Sequence, residues 1–286
     1  MFNSDNKILA CIDGSKYSQS VCDYAAWISQ RTGAPLQLLH NLEDTGGASS
    51  ADLSGAIGLG SRDALLQELT EVEEQRNRLL MEQGKLMLAT AKERIAQGGT
   101  ESSTKQRHGS LTESLLEMEE NIRVLVLGIR GEEHEQDNLH LGAHLEATIR
   151  ALHRPILVVN GEFKVPEKIM LAYDGSDASG KALDMLAQSP LFKGLPVHLV
   201  TVGEDPAGSN MMQQKATETL QAAGHKVTAV TLDGKPSQGL VNYQSEHDID
   251  LTLMGAFSHT RLRELVLGSL TAKMLLKSNK PLLLLR

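Results

Sequence analysis

The sequence predicts two tandem α/β domains, each a doubly wound parallel sheet of five strands. Three observations carry this reading: a repeated opening, a repeated close, and the alternation of apolar runs with helical patterns between them. Lys7-Ile-Leu-Ala-Cys-Ile-Asp13-Gly-Ser15 returns as Lys168-Ile-Met-Leu-Ala-Tyr-Asp174-Gly-Ser176, an offset of 161. Val124-Leu-Val-Leu-Gly128 matches Leu251-Thr-Leu-Met-Gly255, and Arg154-Pro155-Ile-Leu-Val-Val matches Lys280-Pro281-Leu-Leu-Leu-Leu, at offsets of 127 and 126. The drop in offset gives the first half about 34 extra residues in its middle. At 286 residues the chain holds two domains of ordinary size, here set at 1–160 and 161–286.

Taken in order, Ile8–Ile12, Leu36–Leu39, Val124–Leu127 and Ile156–Val159 are short, apolar and nearly continuous, as strands covered on both faces should be. Helical patterns separate them: one from near Ser15 through Ile28, one ending before Gly98, then Thr112 to Asn121 and Gly142 to Leu152. The second half repeats the order with strands at Ile169–Tyr173, Val197–Val202, Val227–Leu232, Leu251–Met254 and Leu282–Leu285. Strand-helix alternation implies parallel pairing through right-handed crossovers, with a ligand crevice beyond the carboxyl ends of the strands. The extra residues of the first half fall between its second strand and second helix. They begin with a glycine-rich stretch and continue as a long helical pattern from about Arg62 to Gln97, in which Leu65, Leu69, Val72, Leu79 and Leu86 recur at threes and fours. That stripe suits either a partner or this chain's own surface, and Gly84 argues against one unbroken rod.

Composition removes several function classes. A net charge of −8 lacks the clustered Lys and Arg that a nucleic-acid surface needs. No stretch of ~18 apolar residues is present to span a membrane and Met1–Asp5 does not read as a leader, so a soluble, cytoplasmic protein is expected. Cys11 and Cys22 fall in a strand and the following helix, as two reduced core thiols rather than a disulfide. His134, His140 and His144 lie close in sequence, but Gly142 interrupts them and no His-Glu-x-x-His spacing occurs, which makes a poor metal site. Gly58-Leu-Gly60 has neither the third glycine nor the leading strand of a dinucleotide fingerprint, and neither a Walker loop nor a Gly-x-Ser-x-Gly elbow is present.

The sharpest chemical signal is Gly255-Ala-Phe-Ser258-His-Thr-Arg-Leu-Arg-Glu-Leu-Val-Leu-Gly268-Ser269, between a buried strand and a helix. Gly255 is expected to let the chain turn off the strand. Gly268-Ser269 opens a helix whose free N–H groups and positive dipole end can hold phosphate oxygens, with the Ser269 hydroxyl either capping the helix or donating to the ligand. Asp174 ends the first strand of the same half, where a carboxylate can meet an adenine amine, a ribose hydroxyl or a phosphate-bound metal. The plainer reading of Asp174-Gly-Ser176 is a turn followed by a helix cap.

Together these segments resemble the universal stress protein family, in its tandem two-domain form, over the whole chain. The resemblance implies Rossmann-like (HUP-type) domains related by a pseudo-twofold axis, with Pro155–Val159 and Pro281–Leu285 pairing the halves to each other. It also implies ATP or another adenine nucleotide as ligand, with Mg²⁺ reaching Asp174 through the phosphates, and a regulatory or protective role in stress. ATP-binding members carry Gly-x2-Gly-x9-Gly-(Ser/Thr) after the fourth strand. The second half keeps that spacing with Ser258 at the second glycine, where a left-handed backbone costs a non-glycine residue about 1–2 kcal/mol. Carried onto this chain, the family's nucleotide contacts are Asp174, Val202, Gly255, Ser258, Gly268, Ser269 and Leu270, with no catalytic residue among them. In the first half ten residues separate Gly131 from Gly142, Ala143 stands at the Ser/Thr position, and Glu132, Glu133, Glu135 and Asp137 line the loop. One carboxylate ~6 Å from a phosphate charge costs about 3 kcal/mol at an effective dielectric of 20, so this half is read as degenerate, with Asp13 and Asn41 left for some other ligand. Two alternatives stay open: slow Mg²⁺-dependent ATP hydrolysis or phosphoryl transfer, for which no general base is evident, and a nucleotide-independent scaffold that meets partners through the long helix. A compact monomer and a homodimer through surfaces other than the closing strands are both compatible with the sequence.

Overall fold

The computed structural model describes residues 6–43, 59–131, 141–203, 206–256 and 268–286. In the first half β1 (Lys7–Cys11), α1 (Ser18–Thr32), β2 (Leu36–Leu42), α2 (Leu59–Gln97), β3 (Ser102–His108), α3 (Leu111–Met118), β4 (Ile122–Gly128), α4 (Ala143–Ala151) and β5 (Ile156–Val159) follow one another. The second half repeats this as β6 (Ile169–Ala172), α5 (Asp177–Gln188), β7 (Val197–Val202), α6 (Pro206–Ala222), β8 (Val227–Leu232), α7 (Pro236–Glu246), β9 (Leu251–Gly255), α8 (Ser269–Lys277) and β10 (Leu282–Leu285). All ten strands join one sheet in the order β3-β2-β1-β4-β5-β10-β9-β6-β7-β8. Within each half every pair is parallel, which gives the doubly wound α/β fold, Rossmann-like in both copies.

The halves meet where β5 and β10 pair antiparallel, with Leu157 opposite Leu283 and Ile156 opposite Leu284. Leu157 and Leu283 are equivalent positions of the repeat, so the register is symmetric about that pair and a pseudo-twofold axis runs through it. Every residue of both strands is buried, and the sheet's outer edges fall instead on β3, which is polar, and on β8, which mixes Thr with Val, Ala and Leu; no residue of either edge strand is fully buried. The most apolar edges are thus consumed by pairing with each other, which removes the site most prone to edge-to-edge aggregation. Two apolar layers sandwich the sheet. One holds Val21, Trp27 and Ile95 with Leu186 and Leu220, and the other Leu115 and Ile149 with Leu240 and Met274. Each layer runs through both halves, so the axis stands normal to the sheet.

Strand β3 has no counterpart among the apolar runs. Its sequence, Ser-Ser-Thr-Lys-Gln-Arg-His, pairs residue for residue with β2, and only its position at an edge lets so polar a segment be a strand. Helix α2 passes through Gly84 without a break. A Cβ at Gly84 would lie 2.4 Å from both Gln106 Nε2 and His40 Cδ2, so this glycine lets the helix cross the β2–β3 edge at close range and is not a hinge. Cys22 is core, and burial foremost pushes its thiol up to about 12. Cys11 is half-buried rather than fully enclosed. Its thiol is also raised, by burial and by the Asp13 carboxylate, and both cysteines are free thiols.

The connection between halves is clasped at Asp250, which is 3 % exposed. Its carboxylate accepts from Lys164 Nζ at 2.7 Å and from the backbone N–H groups of Glu167 and Lys168 at 2.9 and 3.1 Å. Phe163 packs edge-on against Tyr24 at 4.8 Å, and Arg31 donates through Nε to the Leu191 carbonyl at 3.1 Å. Burial pushes the Asp250 carboxyl up, but the Lys164 ammonium and the two N–H donors outweigh it and hold the group below its ordinary 3.8. A depressed carboxylate stabilises the fold above its unfolded value and loses that contribution as pH falls through the folded one. Asp250→Ala is expected to cost about 2–3 kcal/mol in urea melts at neutral pH, and the gap from wild type should close as the pH drops below 3.8.

Candidate functional site

In the strand order 3-2-1-4-5 the chain reverses direction of winding between the first and fourth strands, so the switch point of the second half lies between β6 and β9. Asp174 and Gly255 flank it. Asp174 is exposed, and its Oδ1 accepts the Ser176 N–H at 3.0 Å. Ser176 in turn caps α5 by accepting from Ser179 N–H at 3.1 Å. The turn-and-cap reading of Asp174-Gly-Ser176 is therefore realised at Oδ1 and Ser176, while the carboxylate still borders the crevice. Gly175 has φ +74°, the left-handed region that favours glycine, and a Cβ there would meet Met212 Sδ at 2.3 Å. Met212 thus packs against the turn that follows Asp174, a contact that sequence reasoning missed because nothing in the helical pattern of α6 marks that position.

Gly255 serves a different purpose from the one expected. It pairs as a regular β9 residue with Leu285, and a Cβ there would come within 2.8 Å of Ala178 Cβ and 3.2 Å of Ser179 N. The glycine admits the first turn of α5 to the end of the strand. Gly128 does the same in the first half, where a Cβ would meet Tyr17 Cβ at 3.0 Å. Gly255→Ala should therefore cost about 1–3 kcal/mol in thermal unfolding by overpacking, whether or not a ligand is bound.

Gly268 caps α8 with φ −54° and ψ 135°, and its carbonyl accepts the Ala272 N–H at 3.0 Å. Having no side chain, it cannot satisfy the first N–H groups of the helix itself. Ser269 is the first helical residue and exposed, so it does not act as the cap. The hydroxyl of Thr271 donates to the Ala256 carbonyl at 2.8 Å, fixing the helix to the end of β9. Val202 and Leu270 are half-buried and pack against the same apolar layer. Ser258, with Arg261, Arg263 and Glu264, lies outside the described residues.

The first half has the same scaffold with different chemistry. Gly142 caps α4 with φ −58° and ψ 133°, matching Gly268. By the repeat, Asn41 stands for Val202 and His144 for Leu270. Asn41 donates to the Gly109 carbonyl and accepts from Ser114 Oγ at 3.0 Å, so its amide joins β2 to the start of α3 and is a structural group. His144 Nε2 lies 2.9 Å from Glu43 Oε2. That pair bridges the end of β2 to the first turn of α4 and places the protein's own carboxylate beside the helix N-terminus. Asp13 Oδ1 accepts from Ser15 N–H at 3.0 Å and Ser18 Oγ at 3.1 Å, and its Oδ2 would lie 3.1 Å from a Cβ on Gly131. The acidic loop residues Glu132, Glu133, Glu135 and Asp137, with His134 and His140, lie outside the described residues.

The Universal stress protein family matches the sequence twice, at residues 6–160 and 166–286. The chain belongs to this family. It is 39 % identical over 286 residues to universal stress protein Slr1230 of Synechocystis sp., covering 98 % of this chain and 99 % of that one. Over 67 residues it is 34 % identical to universal stress protein MJ0577 of Methanocaldococcus jannaschii, covering 23 % of this chain and 41 % of that one. A universal stress protein of Archaeoglobus fulgidus superposes with a TM-score of 0.70 at 18 % identity, over 99 % of this chain and 96 % of that one, which shows a shared two-domain fold. Among the described residues no helix is long and apolar enough to cross a membrane.

Proposed function

We propose that this universal stress protein binds one adenine nucleotide per chain, in its second half, and acts in the cytoplasm as a regulatory or protective stress factor rather than as an enzyme. The observation that supports the asymmetry is the contrast at equivalent positions. Val202 and Leu270 offer an apolar wall suited to a base beside a helix N-terminus whose cap has no side chain. At the matching place the first half sets Asn41 and the Glu43–His144 pair. The donor set fits a nucleotide: Val202 and Leu270 for the base, Asp174 for an amine, a hydroxyl or phosphate-bound Mg²⁺, and Gly268 and Ser269 for phosphate oxygens. Calorimetric titration of the full chain with ATP, after stripping co-purified nucleotide, should give a stoichiometry of one. A value of two, or no binding by ATP, ADP or AMP, would overturn the proposal.

Ser258 supplies a finer test. If its cost is backbone strain alone, Ser258→Gly should tighten ATP binding by up to about tenfold, equivalent to ~1.4 kcal/mol. Weaker binding by the glycine variant would make the hydroxyl a ligand contact.

A further inference from the structure

At the base of the second half, three rings meet in one cluster. His198 is the second residue of β7 and so lies at the end of the sheet opposite the crevice. Its Nδ1 stands 2.8 Å from the Tyr243 hydroxyl of α7. The ring of His247, which follows α7, lies 4.0 Å from that of Tyr243 and 5.7 Å from that of His198. Tyr243 is buried, His198 half-buried and His247 exposed. The chain then leaves α7 through Asp248 at φ +52°, among the described residues the one non-glycine residue in the left-handed region. A turn of that kind persists where tertiary contacts hold it. Lys168 Nζ supplies one by donating to the His247 carbonyl at 3.1 Å, and the three rings supply the rest.

The cluster suits a neutral His198. Its sheet neighbours, Met170 on β6 and Thr228 on β8, bear no charge, and α7 offers it the Tyr243 phenol. The groups whose charge bears on it are His247, at the end of α7, and Lys168, ahead of β6, and both can only be cationic. A neutral imidazole can either accept from the phenol O–H or donate to its oxygen. With both ring nitrogens protonated it can only donate, and the added charge is half-buried beside two of like sign. Burial foremost, then His247 and Lys168, hold His198 below its ordinary 6.5. A depressed imidazole favours the docked state above the ordinary value, and that advantage is lost as pH falls from 6.5 toward the folded value.

We propose that His198, Tyr243 and His247 form an acid-sensitive clasp, which docks α7 on β7 at neutral pH and releases the carboxyl-terminal turn of the helix on protonation. The other end of α7 gives that release a consequence. A Cβ on Gly239 would lie 3.6 Å from Leu232 Cδ1 and 4.0 Å from Val202 Cγ2, so the helix packs behind the apolar wall assigned above to the base. An effect on nucleotide binding rests on that assignment. The clasp does not, and its test uses the full chain without nucleotide.

Amide hydrogen exchange over residues 236–249, corrected for the intrinsic effect of pH, should be faster at pH 5.5 than at pH 7.5. The acceleration should reach at most about tenfold, the ceiling for one group released to its ordinary 6.5 when the pH is one unit lower. Helix α1, which packs in the first half, should not follow it. His198→Asn keeps an amide at the position of Nδ1 without the titration, so it should lose the acceleration. In the wild-type chain the His198 imidazole, followed by NMR, should titrate with a midpoint below 6.5. An α7 whose exchange is unchanged at pH 5.5, an acceleration that α1 shares, its persistence in His198→Asn, or a His198 midpoint at or above the ordinary value would each overturn the proposal.

Discussion

A chain ending at Gly161 is expected to be insoluble or to dimerise, and to lose its monomeric state entirely. The reason lies in β5. Ile156, Leu157, Val158 and Val159 are 2 %, 1 %, 0 % and 0 % exposed in the full chain, and the pairing that covers them on their outer side comes from β10. Removal of residues 162–286 opens a row of unpaired N–H and C=O groups on a run of four apolar residues, with neither Pro nor charge inside it to block another strand. The loss does not stop at the edge. Trp27, Tyr24 and Ile28 belong to an apolar layer that continues into Leu186 and Phe192, and Arg31 would lose the Leu191 carbonyl that it binds. Two truncated chains can repair the edge by pairing β5 with β5 about the axis that Leu157 and Leu283 mark in the full chain. Light scattering on the truncated chain should therefore report a dimer or aggregate, with near-native helix content by circular dichroism in any soluble fraction. Recovery of each half as a folded monomer would contradict the dependence of each edge on the other.

How much of this was legible in the residues depends on what each segment spends its side chains on. Buried strands announce themselves by continuous apolar sequence, and nine of the ten follow the expected runs to within a residue or two at most ends; the longest discrepancy is β2, which continues to Leu42. Strand β3 is the exception. At an edge, backbone pairing with β2 is the main source of order, and Ser102–His108 has no apolar period to betray it. Gly84 misled for a related reason: helix propensity counts it as a weakness, whereas the close approach of His40 and Gln106 requires it. The scaffold around the candidate site was legible where the repeat could be read twice. Asp174 and Gly255 sit at the switch point as expected, but the need for Gly255 is packing against Ala178, a tertiary contact that motif spacing does not encode. Asn41 looked available to a ligand because its bonds to Gly109 and Ser114 come from residues far along the chain. The Glu43–His144 pair was hidden likewise, since 101 positions separate its members in sequence.

Gly268→Asp is expected to abolish nucleotide binding without harming the fold, and Gly142→Asp to leave binding unchanged. Both glycines cap a helix with nearly the same backbone, φ −54° and ψ 135° at Gly268 against φ −58° and ψ 133° at Gly142. That conformation is open to any L-residue, so neither change introduces backbone strain. An aspartate at this position can accept from the free N–H groups of the first turn and sits favourably at the positive end of the helix dipole, which adds about 0.5–2 kcal/mol of helix stability. The same carboxylate occupies the donors proposed for phosphate oxygens and sets a negative charge against the ligand's own. For Gly268→Asp this should remove detectable ATP binding in calorimetry while the melting temperature holds or rises by a few degrees. In the first half a Cβ at Gly142 would meet only the Ile129 carbonyl oxygen at 3.4 Å and Arg130 Cα at 3.5 Å, ordinary contact distances, and Glu43 already stands beside that helix end. The two variants thus share backbone geometry and added charge, and under the proposal only Gly268→Asp has a nucleotide to displace. Equal losses of ATP affinity from the two would place ligand in both halves; no loss from Gly268→Asp would remove the helix N-terminus from the binding site altogether.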